Sequence, residues 1–275
     1  MNAAAERPAV VVTGASSGIG RELARLAAAD GHALVLVARE ERPLNDLASE
    51  LSSRGGRAVG LALDLRQPES VDRIADCLSS QALYCDILIN SAGFGIYGAI
   101  AETDPDLQSS LIDVNIRAVS SLIGRFLPGM VQRRKGGIIN IGSITGYAPG
   151  PYMASYCASK AFIRSFTAAL AAEVAGTGVR VMCLTPGVVR TAFFERESMN
   201  NPSNRLLKIL PRGDAVATAK IGWKAFADGK SIVVPRAIDR FIVSLCTLLP
   251  DRALARFVSW LQRRGTRPQS PALPT

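Results

Sequence analysis

Two side chains in the middle of the chain have the chemistry and the spacing to move a proton together. Tyr156 and Lys160 are four residues apart, and Ser143 precedes the tyrosine by 13 residues. On a helix, positions four apart lie on one face, so the phenol and the ammonium group point into the same space. A neighbouring cation favours the phenolate and lowers the tyrosine pKa toward neutral pH. We therefore expect Tyr156 to exchange a proton while a carbonyl and an alcohol are interconverted.

A glycine-rich turn near the start of the chain indicates a dinucleotide-binding site. The β-branched run Val10–Val12 predicts a buried strand, and an apolar pattern with helical spacing follows from Leu23. Between them stands the segment Thr13-Gly14-Ala15-Ser16-Ser17-Gly18-Ile19-Gly20. Its glycines let the backbone approach a pyrophosphate at a helix N-terminus, and we expect that helix to begin at the third glycine, Gly20. The alternative is a tight turn that binds no ligand.

The chain resembles the short-chain dehydrogenase/reductase family over about residues 8–235. The resemblance rests on six segments in the family's order: Thr13-Gly14 to Gly18-Ile19-Gly20, Asn90-Ser91-Ala92-Gly93, Asp113-Val114-Asn115, Ile141-Gly142-Ser143, the pair Tyr156 and Lys160, and Pro186-Gly187 followed by Thr191. Ser91 departs from the family's Asn-Asn-Ala-Gly pattern at its second position. An ordered set of this kind is not explained by chance.

The resemblance implies four catalytic residues, Asn115, Ser143, Tyr156 and Lys160. Tyr156 would donate a proton to the carbonyl oxygen during reduction and accept it back during oxidation. Lys160 would lower the tyrosine pKa and hydrogen-bond the nicotinamide ribose. Ser143 would hold the substrate oxygen where negative charge develops. Asn115 would hold a water in a proton relay to Lys160; its alternative is a helix-interior residue bonded to nearby backbone.

The cofactor is expected to lie along the carboxyl ends of the strands. Asp64 resembles the residue that binds the adenine ring, and the segment from Pro186 to Thr191 resembles the one that closes over the nicotinamide. The full set of expected contacts is Thr13, Gly14, Ser16, Ser17, Gly18, Ile19, Gly20, Arg39, Asp64, Leu65, Asn90, Ala92, Gly93, Tyr156, Lys160, Pro186, Gly187, Val189 and Thr191.

The end of the second predicted strand indicates which dinucleotide is preferred. An acidic residue about 20 residues after the glycine turn would bind a ribose 2′-hydroxyl. Ala38 occupies that place, and Arg39 follows it. An arginine there is able to pair with a 2′-phosphate through two hydrogen bonds, which favours NADP(H) over NAD(H). The alternative is that Arg39 is a solvated charge paired with Glu40 or Glu41.

Strand-like runs alternate with helical segments along most of the chain. The predicted strands are Val10–Val12, Ala33–Val37, Ala58–Leu63, Ile87–Ile89, Gly137–Ile141, Val179–Leu184 and Ser231–Val234. Apolar strands separated by helices predict an α/β fold: a Rossmann-type doubly wound sandwich, with a seven-stranded parallel sheet and helices on both faces. We expect a dinucleotide-binding catalytic domain over 1–235, with a substrate flap at about 188–211.

The expected substrate pocket is largely apolar. Its boundary would consist of Phe94, Ile96, Tyr97, Tyr147, Pro149, Tyr152 and Met153. This composition favours an apolar or lipid-like ketone or aldehyde over a sugar. We therefore expect an oxidoreductase that transfers a hydride between NADP(H) and a carbonyl or alcohol. The alternative is a catalytically silent NADP(H)-binding scaffold or sensor, which a missing catalytic residue would have favoured.

Composition limits the other function classes. Five cysteines without a Cys-x-x-Cys pair suit a reducing compartment, and a single histidine gives no clustered ligands, so we expect no metal site. The start, Met1–Arg7, is too short and polar for a secretory signal, so we expect a cytoplasmic protein. The net charge is +9, but no aromatic-basic platform for nucleic acid is apparent.

The last forty residues carry much of the excess charge. From Arg236 onward there are seven Arg and two Asp, a net of +5. Two apolar stripes at helical spacing predict an amphipathic helical extension over 236–264, and residues 265–275 are expected to be disordered. The extension is suited to peripheral membrane contact, to lining the substrate pocket or to joining subunits. We expect a homodimer or homotetramer.

Overall fold

The structure is a computed structural model that describes residues 6–53, 55–191, 193 and 210–263. Its centre is one sheet of seven parallel strands. The strands are β1 (Arg7–Thr13), β2 (Ala33–Ala38), β3 (Ala58–Ala62), β4 (Leu83–Asn90), β5 (Gly136–Ile141), β6 (Val179–Leu184) and β7 (Ile232–Val233). Each predicted strand is present, with ends that shift by up to four residues.

The order of the strands creates a crevice at the carboxyl ends of the central strands. The order is β3-β2-β1-β4-β5-β6-β7, so the chain changes direction across the sheet between β1 and β4. In α/β sheets, ligands bind beyond the carboxyl ends of the strands at such a point. The register pairs Thr13 with Asn90, and Asn90 with Asn140. The motifs that follow these strands are therefore neighbours in space.

Helices cover both faces of the sheet. They are α1 (Gly18–Ala29), α2 (Glu41–Ser53), α3 (Ser70–Ser80), α4 (Pro105–Ile112), α5 (Ala118–Gln132), α6 (Ala154–Glu173) and α7 (Ala215–Ala227). Successive residues of a strand point to opposite faces, so Val10 and Val12 pack with α1, α2 and α7, whereas Val11 packs with α3, α5 and α6. This arrangement confirms the predicted doubly wound fold.

Two local predictions concern the start of α1 and the substrate flap. The turn after β1 ends at Ser17, whose backbone is extended, and α1 begins at Gly18 rather than at the predicted Gly20. The whole Gly18–Gly20 segment therefore belongs to the first turn of the helix. The predicted substrate flap at about 188–211 falls largely outside the described residues.

Two further helices follow the last strand, α8 (Ala237–Leu248) and α9 (Asp251–Arg263). Leu249 and Pro250 separate them. Within the described ranges, no helix combines the length and the apolar character needed to cross a membrane. The predicted tail, 265–275, lies outside the described residues.

Candidate active site

One continuous cleft runs along the carboxyl ends of the strands and brings most of the predicted site residues together. Its lining includes three predicted catalytic residues, Ser143, Tyr156 and Lys160. It also includes fourteen further predicted cofactor contacts: Gly14, Ser16, Ser17, Gly18, Ile19, Arg39, Asp64, Leu65, Ala92, Gly93, Pro186, Gly187, Val189 and Thr191. Residues that are far apart in the sequence, such as Gly14 and Thr191, thus line the same cleft.

The glycine turn has the geometry that a pyrophosphate requires. Gly14 has a φ of 66°, and a Cβ added there would lie 2.7 Å from the Ala92 nitrogen. Gly18 has a φ of 57°, which disfavours side chains. Ser17, at the N-cap of α1, makes no capping hydrogen bond with its side chain. The first N–H groups of α1 therefore remain directed toward the cleft, so this end of the site fits a dinucleotide phosphate.

Three predicted cofactor contacts support the cleft from behind instead of lining it. The Thr13 hydroxyl accepts hydrogen bonds from the backbone N–H groups of Ser91 (3.1 Å) and Ala92 (3.2 Å). The Asn90 side chain donates to that of Asn140 at 2.8 Å. Gly20 allows close packing, because a Cβ there would lie 2.5 Å from a backbone oxygen. These residues shape the cleft through the two loops that bound it.

The end of the cleft next to β2 and β3 combines a carboxylate with two arginines. The Asp64 carboxylate accepts hydrogen bonds from the Arg66 backbone (3.0 Å) and guanidinium (2.8 Å). Chiefly for this reason, the pKa of Asp64 is below its ordinary value. Arg39 is exposed on the cleft wall, and among the described residues it forms no ion pair with Glu40 or Glu41. Its guanidinium is therefore available to an anionic ligand.

The predicted catalytic pair lies near the start of α6. Tyr156 and Lys160 are both buried at the cleft wall, and the Lys160 nitrogen lies 5.8 Å from the centre of the tyrosine ring. Lys160 donates a hydrogen bond of 2.8 Å to the Ile141 carbonyl at the end of β5. Ser143 begins the next short turn after β5, where its hydroxyl accepts from a backbone N–H. The end of β5 and the first two turns of α6 thus hold the three side chains.

The electrostatics differ from the prediction for this pair. Burial raises the pKa of Tyr156 well above its ordinary value, and the neighbouring Ser143 hydroxyl only partly opposes that rise. Burial also lowers the pKa of Lys160, to about 8. The expected lowering of the tyrosine pKa by Lys160 is therefore wrong for this arrangement, because removal from water disfavours both charged forms. The phenol is protonated at neutral pH.

Asn115 joins the loop after β4 to α6. It is 1 % exposed and lies in a π-helical turn, Asp113–Arg117, between α4 and α5. Its Oδ1 accepts from the Phe94 N–H (3.1 Å), while Nδ2 donates to the Phe94 carbonyl (3.0 Å) and to the Ser159 hydroxyl (3.1 Å). The Ser159 hydroxyl donates to the Tyr156 carbonyl at 2.7 Å. Both amide hydrogens are used, so a relay water would have to bond to Oδ1 or to the backbone.

An apolar cluster around Tyr156 borders the cleft, and its members Phe94, Met153 and Phe193 line the cleft wall. Five predicted pocket residues belong to it: Phe94, Ile96, Tyr97, Tyr152 and Met153. The other two, Tyr147 and Pro149, do not. The Tyr147 ring instead lies under the guanidinium of Arg164, at 4.6 Å. Of the seven predicted pocket residues, Phe94 and Met153 line the cleft, and the extent of the substrate pocket stays a prediction.

Three residues near the site were missed. The Thr145 hydroxyl is buried at the cleft wall near the Tyr156 phenol, where it slightly opposes the rise in the Tyr156 pKa. Its position two residues after Ser143 was the available signal. The Phe193 ring lies 5.5 Å from that of Tyr156. Gln262 is fully buried, and its Oε1 accepts a hydrogen bond from the Tyr97 hydroxyl at 3.1 Å; its polar side chain gave no signal.

The remaining chemically active side chains are dispersed. All five cysteines are free thiols. In the part of the chain that the structure describes, no group of three or more His, Cys, Asp or Glu side chains is arranged to hold a metal ion.

The fold and the cleft define a nucleotide-dependent oxidoreductase of the Rossmann type. Residues 8–202 match the family described as short chain dehydrogenase. The chain belongs to this family, and it is an NAD(P)-dependent short-chain dehydrogenase/reductase.

Known relatives agree with that assignment. A short chain dehydrogenase of Pseudocercospora fijiensis is 36 % identical over 183 residues, which are 66 % of this chain and 59 % of that protein. A short-chain dehydrogenase of Sphingobium yanoikuyae, solved with NADPH, is 28 % identical with a TM-score of 0.77, over 96 % of this chain and 98 % of that one. One from Burkholderia phymatum, solved with NAD, is 25 % identical with a TM-score of 0.78, over 97 % and 99 %. The neighbours therefore include both cofactor types.

Proposed function

We propose that the enzyme transfers a hydride between NADP(H) and an apolar carbonyl or alcohol, with Tyr156 as the general acid and base. The observation that carries this proposal is the buried phenol of Tyr156 in the cleft, beside Ser143 and Lys160. When bound, the nicotinamide supplies the hydride in reduction and takes it up in oxidation. The protein's own side chains handle the proton and the developing charge.

Each side chain has a separate task in the reduction. The protonated Tyr156 donates its hydrogen to the carbonyl oxygen as negative charge develops there. Ser143 donates a hydrogen bond to the same oxygen, which stabilises that charge in a site shielded from water. Lys160 keeps hydrogens for a ribose hydroxyl besides the one that it donates to Ile141. The cation then stabilises the phenolate that remains after proton transfer.

The preference for NADP(H) is supported by the wall at the end of β2. Arg39 lines the cleft beside Ala38. A cation is therefore present there, and position 38 lacks the carboxylate that would bind the ribose 2′-hydroxyl of NAD(H). A 2′-phosphate would gain charge-assisted hydrogen bonds from this guanidinium. The NADPH-bound relative of S. yanoikuyae is consistent with this preference, whereas the NAD-bound relative of B. phymatum leaves NAD(H) as the alternative.

The preference for an apolar substrate is supported by the cluster around Tyr156. Ile96, Met153 and the ring of Phe193 surround the phenol, and Leu111 completes the cluster from α4. A polyhydroxylated substrate would lose hydrogen bonds to water in such a chamber without replacing them. A ketone or aldehyde with large apolar substituents would bury them there.

The decisive experiment screens carbonyl compounds with purified protein while NADPH absorbance is followed. Apolar ketones and aldehydes should be reduced, and Tyr156→Phe should abolish turnover while leaving NADPH affinity nearly unchanged. A silent scaffold or sensor would bind NADPH without turning over any compound of the panel. Retention of more than a tenth of the wild-type rate by Tyr156→Phe would remove this residue from its proposed role.

Assembly and location are proposed separately from the chemistry. We expect a homodimer or homotetramer in the cytoplasm, which light scattering of the purified full chain would test. Contact of residues 236–264 with a membrane is a distinct proposal, because it rests on the exposed faces of α8 and α9 and not on the cleft.

A further inference from the structure

The two C-terminal helices are held to the catalytic body by buried polar contacts. The Asp239 carboxylate is 1 % exposed, accepts two hydrogen bonds of 2.7 Å from Arg236 and accepts a third from the Gly187 N–H at 3.2 Å. At the end of α9, the buried Gln262 accepts the hydrogen bond from Tyr97. One face of each helix therefore packs, as one of the sequence-based alternatives proposed.

The opposite face of α8 is apolar and open to solvent. Ile238, Phe241, Leu245 and Leu248 recur at intervals of three and four residues, so they lie on one side of the helix. Their exposed fractions range from 45 to 79 %. A row of four large exposed apolar side chains is not required for the packing that the buried face already provides, and such a patch marks an interaction surface.

Helix α9 adds aromatic rings and positive charge. Phe257 and Trp260 are exposed, and their rings are stacked with centres 6.3 Å apart. Arg252 and Arg256 are also exposed, on the side of α9 next to Trp260. An apolar face bordered by arginines, with a tryptophan at the boundary, is the pattern of a helix that lies in a membrane interface.

We propose that the exposed faces of α8 and α9 dock the enzyme on an anionic lipid surface. The charge favours this occupant over a second copy of the chain. Among the described residues of α8 and α9, Arg240, Arg252 and Arg256 are exposed and only the exposed Asp251 opposes them, because the buried Asp239 is paired with Arg236. A symmetric contact between two copies would place this basic surface against itself. Anionic headgroups neutralise it while the apolar side chains enter the lipid.

The two helices that carry the docking surface contact the cleft and the apolar cluster beside it. Asp239 of α8 bonds to Gly187, which lines the cleft, and Gln262 of α9 bonds to Tyr97 in the apolar cluster around Tyr156. A docked enzyme would thus receive an apolar carbonyl compound from the bilayer beside its substrate chamber. This consequence rests on the proposed function, whereas the docking itself does not.

The test is sedimentation of the full chain with vesicles, which requires no turnover. Vesicles of phosphatidylcholine alone are compared with vesicles that also contain phosphatidylserine, each at low and at high salt. Binding should be at least tenfold stronger to the anionic vesicles at low salt, and it should weaken at high salt because the charges are screened. Wild-type protein that stays in the supernatant with all vesicles at low salt overturns the proposal.

Matched variants separate the surface from general stickiness. The double substitution Phe241→Ser with Leu248→Ser should lower binding at least tenfold, whereas Val216→Ser with Ile221→Ser, two exposed apolar positions on α7, should not. Likewise, Arg252→Glu with Arg256→Glu should weaken binding strongly, while Arg42→Glu with Arg73→Glu on α2 and α3 should have a smaller effect. Equal losses in the matched pairs would show non-specific attraction and overturn the proposal. Thermal unfolding checks that each variant folds.

Trp260 provides a direct reporter. The chain has two tryptophans, and Trp223 lies on α7, where its ring nitrogen donates to Asp30 at 2.7 Å. In a Trp223→Phe variant, anionic vesicles should shift the Trp260 emission to shorter wavelength, and brominated lipids should quench it. If Phe241→Ser with Leu248→Ser instead halves the molecular mass in solution and no vesicle binding is seen, the face joins subunits and the proposal fails.

Discussion

The ammonium nitrogen of Lys160 lies 5.8 Å from the centre of the Tyr156 ring, one helical turn away on α6, and both side chains are buried. Burial favours the uncharged form of each group, so the pKa of Lys160 falls to about 8 while that of Tyr156 rises. The lysine therefore lowers the stability of the folded protein at neutral pH while it serves the site.

Replacement of Lys160 by methionine should raise the melting temperature at pH 7 by several degrees while abolishing turnover. About 1 kcal/mol corresponds to roughly 2–4 °C in a chain of this size. The gain should shrink as pH rises above 8, because the pKa of Lys160 is lower in the folded than in the unfolded chain. Wild-type stability then increases with pH until the unfolded chain also loses the proton. Thermal melts at several pH values check this, and a variant less stable at pH 7 would contradict it.

The rates of reduction and of oxidation should depend differently on pH. The raised pKa keeps the Tyr156 phenol protonated, which suits reduction. While Lys160 remains charged, below its pKa of about 8, the rate of reduction should be level with pH. Oxidation needs the phenolate, so its rate should increase by up to about tenfold per pH unit over the same range. Parallel profiles in both directions would place the controlling ionisation on another group.

The cofactor preference should depend on Arg39. Replacing Ala38 by Asp and Arg39 by Gln should shift the ratio of NADPH to NADH affinity toward NADH by about 1.5–3 kcal/mol, the contribution of hydrogen bonds to a charged group. Fluorescence titration with each cofactor measures the shift. Arg42→Gln on α2 is the matched control and should leave the ratio unchanged. Equal binding of both cofactors by the wild type would refute the interpretation of this strand end.

The buried hydroxyl of Thr145 should contribute to substrate binding. Because it is buried at the cleft wall near Ser143, we expect it to hydrogen-bond the substrate. Thr145→Val keeps the shape and should raise KM for the carbonyl compound roughly tenfold, with little effect on cofactor affinity. Thr145→Ser should restore most of the loss. An unchanged KM in the valine variant would assign the residue to packing.

The contact between Tyr97 and Gln262 should couple the C-terminal helix to the substrate chamber. Gln262→Leu leaves the Tyr97 hydroxyl without its partner and should cost about 1–3 kcal/mol in the free energy of unfolding. Adding Tyr97→Phe should recover part of that loss, because the unpaired hydroxyl is then gone. Chemical denaturation of the two single variants and the double variant measures the coupling. Additive losses would mean that the two side chains do not interact in solution.

The sequence by itself determined the fold class, because the order and character of the strands are local properties. Seven apolar runs separated by helical segments predicted the parallel sheet, and motifs at the strand ends predicted most of the cleft. The spacing of Tyr156 and Lys160 was sufficient to place both groups on one helix face. The identity of Ala38 and Arg39 likewise carried the expectation about the cofactor without any contact.

Tertiary structure decided the properties that depend on neighbours distant in the chain. The pKa values of Tyr156 and Lys160 followed burial, which their spacing does not reveal. Asn115 links the loop after β4 to α6, because the π-helical turn places its amide within hydrogen-bond distance of Phe94 and Ser159. The two apolar stripes at the C-terminus indicated amphipathic helices, but only packing determined which face is buried. Hydrogen bonds such as that of Tyr97 to Gln262, across 165 residues, form where the folded chain brings two polar groups out of water together.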